Sequence, residues 1–195
     1  TVLVNNSQFL QCRVKGKFRI HGIKNTNPVT VGDHVTIEMY TDGTGIISEI
    51  EPRKNYIIRR SINLSKQTHI IASNIDQAFL IISLVSPKTL TGFIDRFLVT
   101  AEAYSIPTTL IFNKIDIYGE KELNELSNLI QVYSSVGYDC IQTSNVTGKN
   151  LDLFKNKLLG KVTLLSGNSG VGKSTLINSI DPTLNLKTSL ISASN

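Results

Sequence analysis

Along the first 55 residues, apolar positions come in short runs that alternate with polar ones and break at turn residues. VLVNN, QFLQCRVKGKFRI, HVTIEMY and GTGIISEIEP are rich in Val, Ile, Thr, Phe and Tyr, and turn signals separate them at Asn5-Asn6-Ser7, Asn25 to Pro28 and Asp42-Gly43. Four or five strands in so short a space, with no helical period, predict a small all-β barrel of the OB-fold kind, and an SH3-like barrel fits nearly as well. The polar, basic segment Pro52 to Gln67 reads as a linker, so a barrel and linker are expected over residues 1–66.

The pattern then changes, and a second domain is expected over residues 67–195. AFLIISLV is a buried-strand run, and FIDRFLVTAEAYS places Phe93, Phe97, Leu98 and Ala101 on one helical face. TTLIFNKID predicts a strand, GEKELNELSNLIQVYSSV a helix, DCIQTS a short strand, LDLFKNKLL a helix and VTLLSG a strand that runs into a helix from Lys173. Buried strands alternating with helices make an α/β domain with a parallel sheet and helices on both faces. Ligands of such sheets sit at the carboxyl ends of the strands, where each motif below falls.

Gly167-Asn168-Ser169-Gly170-Val171-Gly172-Lys173-Ser174 satisfies every fixed position of G-x-x-x-x-G-K-[ST], with Thr175 next. Glycines at 167, 170 and 172 let the backbone turn its N–H groups inward around a phosphate, and the following helix directs its positive end at the same anion. Lys173 is the expected catalytic cation on the β- and γ-phosphates, and the Ser174 hydroxyl the expected ligand of Mg²⁺. A glycine turn without a ligand is the competing reading.

Asn113-Lys114-Ile115-Asp116 stands at the end of the second α/β strand. A carboxylate at Asp116 can accept from both N1–H and the exocyclic amine of guanine, which adenine does not present in that arrangement. Asn113 can tie the base edge to the phosphate loop, and the Lys114 stem can pack over the ring. Alone, the tetrapeptide is equally a strand end followed by a helix-capping Asp. At the next strand end, Thr143-Ser144-Asn145 can present a backbone N–H to the guanine O6, or Ser144 or Thr147 can simply cap a helix.

Composition adds a partner class. With 41% hydrophobic and 18% charged residues the chain is an ordinary globular one, no run is long enough to span a membrane, and nothing resembles a signal peptide. The net charge of +5 is uneven: residues 1–60 carry nine Lys/Arg against five Asp/Glu, and residues 61–195 eleven against ten. A basic first domain suits nucleic acid, and a solvated surface accounts for the same excess. Lys15, Lys17 and Arg19 alternate along a strand and so share a face, and Arg59-Arg60 follow in the linker. Cys12 and Cys140 read as two reduced, buried thiols of a cytoplasmic protein, and His21, His34 and His69 are too scattered to hold a metal.

In most GTPases the phosphate loop precedes the guanine-reading motif; here it follows. With a barrel, RKNYIIRRS, ASNIDQAFLIIS, FIDRFLVTAE, NKID and GNSGVGKST in that order, the chain resembles the circularly permuted, ribosome small-subunit-dependent GTPases of bacteria over nearly its whole length. The resemblance implies an OB-fold barrel, GTP or GDP with Mg²⁺, and a role in small-subunit maturation with the subunit and rRNA as partners, in a cytoplasmic monomer that has no membrane contact. It also implies switch regions, an Asp-x-x-Gly segment and a zinc-binding helical domain after NLKTSLISASN. A truncated chain is therefore expected, in which hydrolysis is slow or absent and zinc belongs only to the missing part. An ATP-dependent P-loop protein, and a nucleotide-regulated RNA-binding module without useful turnover, are the alternatives.

Overall fold

The computed structural model describes residues 1–5, 8–16, 28–60 and 68–188, and the chain divides into two units, Thr1–Ile75 and Asp76–Asn195. In the first unit, β1 (Val2–Val4) and β2 (Gln8–Leu10) form an antiparallel hairpin. β3 (Cys12–Val14), β4 (Val35–Met39) and β5 (Gly45–Ile50) form a sheet of order β3-β5-β4, with β3 parallel and β4 antiparallel to β5. All five fall in the runs that alternate apolar and polar residues. Among the described residues these remain separate small sheets, so β-structure is established where a closed barrel was expected.

The segment 52–67 is not simply a linker. Its residues Tyr56–Arg60 form β6, antiparallel to β7 (Thr68–Ser73). Tyr-Ile-Ile inside a basic run suffices for a strand once a partner supplies the ladder. Lys17, Arg19 and His21 lie outside the described residues, as do the side chains of Arg59, Arg60 and His69. Lys15 faces Glu38, Nζ to Oε1 3.5 Å.

A fully buried carboxylate ties three segments of this unit, at Thr30, Arg53 and Ser73. Asp33 accepts from Arg53 at 2.6 and 2.8 Å, from the Ser73 hydroxyl at 2.6 Å and from the Thr30 N–H at 2.8 Å. Burial acts to raise the Asp33 pKa, but the hydrogen bonds from Arg53, Ser73 and Thr30 outweigh it and hold the group below the usual carboxylate value.

The second unit contains β8 (Gln77–Ile82), α1 (Thr91–Ala103), β9 (Thr108–Phe112), α2 (Glu120–Ser135), β10 (Asp139–Gln142), α3 (Leu151–Leu158), β11 (Thr163–Ser166) and α4 (Lys173–Ile180). The four strands are parallel in the order β10-β9-β8-β11. Strand alternation sorts the core into two layers. Leu80, Ile82, Leu110 and Phe112 pack with Ile94 and Leu98 of α1 and Leu126 and Tyr133 of α2. Phe79, Ile81, Ile111 and Ile141 pack with Phe154 of α3 and Leu176 of α4 on the other face. Phe93 and Phe97 lie partly buried at the edge of the first layer. Both cysteines are free thiols that are only partly buried, not fully enclosed as expected.

Replacing Arg53 with Met would leave the Asp33 carboxylate buried without its cation, and should destabilise the first unit by about 3–5 kcal/mol in chemical denaturation. Because the folded pKa of Asp33 is depressed, its contribution should be fully present above the unfolded value of about 4 and be lost as pH falls through the folded value. An unchanged denaturation midpoint in the variant would mean that the pair carries no net stability.

Candidate functional site

The carboxyl ends of all four parallel strands lie on one edge of the sheet, and one side chain connects three of them. Asn113, the first residue after β9, is buried. Its backbone N–H donates to the Ile82 carbonyl at 2.8 Å, which continues the β8–β9 ladder by one residue. Its Nδ2 donates to the Val171 carbonyl at 2.9 Å, inside the loop after β11, and its Oδ1 accepts from the Thr143 hydroxyl at 3.0 Å, after β10. The loop of residues 167–172 is thereby held beside the Asn113–Asp116 segment.

That loop has the backbone its glycines predict. Gly167, Gly170 and Gly172 have φ of 143°, 81° and 99°, a region that disfavours any Cβ. A Cβ on Gly172 would strike the Asn113 amide, and one on Gly167 the Ile81 carbonyl. Val171 is fully buried in the α3/α4 layer and anchors the turn. α4 begins at Lys173 directly after Gly172. The Lys173 ammonium curls back into the loop, donating to the carbonyls of Gly167 at 2.8 Å and Asn168 at 2.7 Å. Burial pushes its pKa below the usual lysine value. Ser174 is partly exposed and Thr175 exposed in the first turn of α4.

The Lys114–Asp116 segment bends sharply. Lys114 adopts φ 63°, in the left-handed region, and its Nζ donates to the Ser86 carbonyl at 2.7 Å. Burial pushes the Lys114 pKa down, and the charge of Asp116 acts in the opposite direction. The Ile115 N–H donates to the Thr143 carbonyl at 3.3 Å, closing the gap to the loop after β10. The buried Ser144 hydroxyl donates to Asp116 Oδ1 at 2.5 Å and accepts from the Thr147 N–H at 3.1 Å. The capping reading of Ser144 therefore holds locally, although the turn it caps is not α3, which starts after the left-handed Asn150, and the Ser144 N–H itself donates to the Lys149 carbonyl at 3.3 Å. Asp116 itself is exposed, and a carboxylate excludes adenine strongly only where it is buried. A ligand would have to supply that burial.

Tyr118 went unnoticed in the sequence. It is buried, and its hydroxyl donates to the Asn113 carbonyl at 2.9 Å and accepts from the Leu84 N–H at 2.8 Å. The available signal was an aromatic residue with a polar tip two positions after Asp116, beside Ile115 and Ile117.

The family model described as RsgA GTPase matches residues 50–195, and that described as RsgA N-terminal domain matches residues 1–47. The chain belongs to the RsgA GTPase family. It is 58% identical over 194 residues to the small ribosomal subunit biogenesis GTPase RsgA of Christiangramia forsetii, covering 98% of this chain and 62% of that protein. It is 54% identical over 192 residues to the protein of the same name in Bacteroides fragilis, with the same coverage. The chain thus spans about three fifths of the length of these RsgA relatives. Among solved structures, YjeQ from Thermotoga maritima matches with a TM-score of 0.72 at 35% identity, over 91% of this chain and 59% of that one. YloQ, described as a circularly permuted GTPase, matches with a TM-score of 0.61 at 34% identity, over 89% and 56%. The RsgA resemblance, with β-strands followed by a permuted α/β domain, therefore holds. Among the described residues no helix is long and apolar enough to cross a membrane.

Asn113→Ala should lower the stability of the second unit by about 1–3 kcal/mol, because the Val171 carbonyl and the Thr143 hydroxyl would lose buried partners. Urea denaturation followed by far-ultraviolet circular dichroism measures this. An unaltered midpoint would show that the ties place the loops without stabilising them.

Proposed function

We propose that this chain binds GTP and GDP across the ends of β9, β10 and β11, and that the protein it represents hydrolyses GTP while serving maturation of the small ribosomal subunit. The observation that carries this reading is the Asn113 bridge, which brings the base-reading tetrapeptide and the glycine loop to one sheet edge. The glycine conformations support a cradle of inward N–H groups for the α- and β-phosphates, in a loop whose close approach to Asn113 and Ile81 excludes a Cβ at Gly172 or Gly167. Residues 167–175 would hold the phosphates and Asn113–Asp116, with Ser144, the base.

The donor set suits the chemistry. Lys173 presents its ammonium to the loop interior and would swing from two neutral carbonyls to the β- and γ-phosphates, where anionic charge favours its protonated form. Its role would be to offset the charge that develops as water attacks the γ-phosphorus and GDP leaves. Ser174, a hydroxyl at the start of α4, would hold Mg²⁺, which when bound neutralises phosphate charge. Asp116, already oriented by Ser144, would accept from the guanine N1–H and exocyclic amine. Turnover by this chain alone is proposed to be slow or absent.

The partners proposed are the small subunit and its rRNA, in the cytoplasm and with the chain as a monomer. The positive balance of the first unit supports them through counterion release.

GTP should bind much more tightly than ATP, and Asp116→Asn should weaken GTP binding by at least ~2 kcal/mol while improving that of xanthosine nucleotides. Titration calorimetry with GTP, ATP and XTP checks this; equal affinities for ATP and GTP in the unaltered chain would refute a guanine site. Turnover by the full-length protein that small subunits do not stimulate would instead favour a nucleotide-regulated RNA-binding module.

A further inference from the structure

The loop of residues 83–89, between β8 and α1, contains none of the nucleotide motifs, yet it is bound to the Asn113–Asp116 segment at two points. Tyr118 links them through its hydroxyl, between the Leu84 N–H and the Asn113 carbonyl. Lys114 links them again through its ammonium on the Ser86 carbonyl at 2.7 Å. The loop is closed on itself as well: the Thr89 N–H donates to the Ser83 carbonyl at 2.7 Å, and the Ser83 N–H to the Thr89 hydroxyl at 3.2 Å.

Between the Tyr118 contact and Asp116 lies the one residue of this segment in a strained conformation. Lys114 has a side chain and φ 63°, which a non-glycine residue adopts at a cost of about 1–2 kcal/mol. The strain persists because the peptides on both sides are held. On one side the Asn113 carbonyl is fixed by Tyr118; on the other the Ile115 N–H is fixed by Thr143, and the Lys114 carbonyl accepts from the Ile117 N–H at 3.1 Å. The Tyr118 ring is itself packed in the layer that contains Leu84, Ile94 and Leu126. Releasing the hydroxyl would leave the Asn113 carbonyl free to rotate and Lys114 free to relax toward an ordinary conformation. Relaxation would carry Asp116 away from Ser144.

We infer that Tyr118 is a positioning residue for guanine selectivity, and that through it the loop of residues 83–89 acts as a wall of the base site. The inference rests on the guanine reading of Asp116. It assigns to Tyr118 no contact with the nucleotide; its effect is on the direction in which Lys114 and Asp116 face.

The test is Tyr118→Phe, which keeps the packed ring and removes only the hydroxyl, with GDP, IDP and ADP titrated against variant and parent. IDP lacks the exocyclic amine that Asp116 would accept from, so the GDP:IDP affinity ratio reports the placement of that carboxylate. GDP affinity should fall about tenfold and the ratio should shrink by about threefold or more, the size expected when a buried hydrogen-bond pair is unmade. Equal losses for GDP and IDP, or no loss, would overturn the inference and leave Tyr118 a structural residue. If the parent itself fails to prefer GDP over ADP, the guanine site is wrong and the inference falls with it. Should the variant not fold, hydrogen exchange at the Leu84 amide of the unaltered chain decides. GDP should slow it several-fold; exchange unaffected by GDP would overturn the coupling.

Discussion

The hydrogen bonds of one buried amide, Asn113, are the constraint on which the site depends. β9 and β11 are not neighbours in the sheet, because β8 lies between them. The Asn113 side chain reaches past the end of β8 to the Val171 carbonyl, and its oxygen is held from the other side by Thr143. An Asn is suited to this because it donates and accepts at once, and each atom here has a partner. Leaving either one unpaired in the buried site would cost about 1–3 kcal/mol, more than the bond itself contributes. Gly172 follows from the same contact, since a Cβ there would occupy the place of the amide.

These contacts are indifferent to chain order. β11 comes last among the strands and pairs in parallel with β8, which comes first, so that Thr163 lies opposite Gln77. A loop that closes this sequence and a GTPase of ordinary order can therefore present the same edge of the sheet. With the Asn113 bridge crossing the end of β8, the chain leaves the sheet at Ser83, and the following loop is fastened by Tyr118 and Lys114.

The second unit was legible because its signals are local. Runs such as AFLII and LIF are apolar at every position, as strands covered on both faces tend to be, and the glycine loop and Asn-Lys-x-Asp carry their geometry in contiguous residues. The first unit was legible only in outline. β6 hides in a basic segment, and its strand depends on β7 for a ladder, which no local pattern expresses. The Asp33–Arg53 network joins residues 20 apart in sequence and left no motif. Within the site, the exposure of Asp116 and the bridge through Tyr118 were equally invisible. The Leu84–Tyr118 contact spans 34 residues, and a tyrosine's hydroxyl declares its partner only in three dimensions.

The central claim is that three strand ends, joined by Asn113, form one guanine nucleotide site. A crystal structure of this chain grown with GDP and Mg²⁺ tests it most directly. The diphosphate should lie on the backbone N–H groups of residues 167–174 with the Lys173 ammonium moved onto it, and the guanine edge should face Asp116 beside Ser144. A diphosphate bound elsewhere, or a base turned away from Asp116 while Asn113 keeps its hydrogen bonds to Val171 and Thr143, would contradict the account.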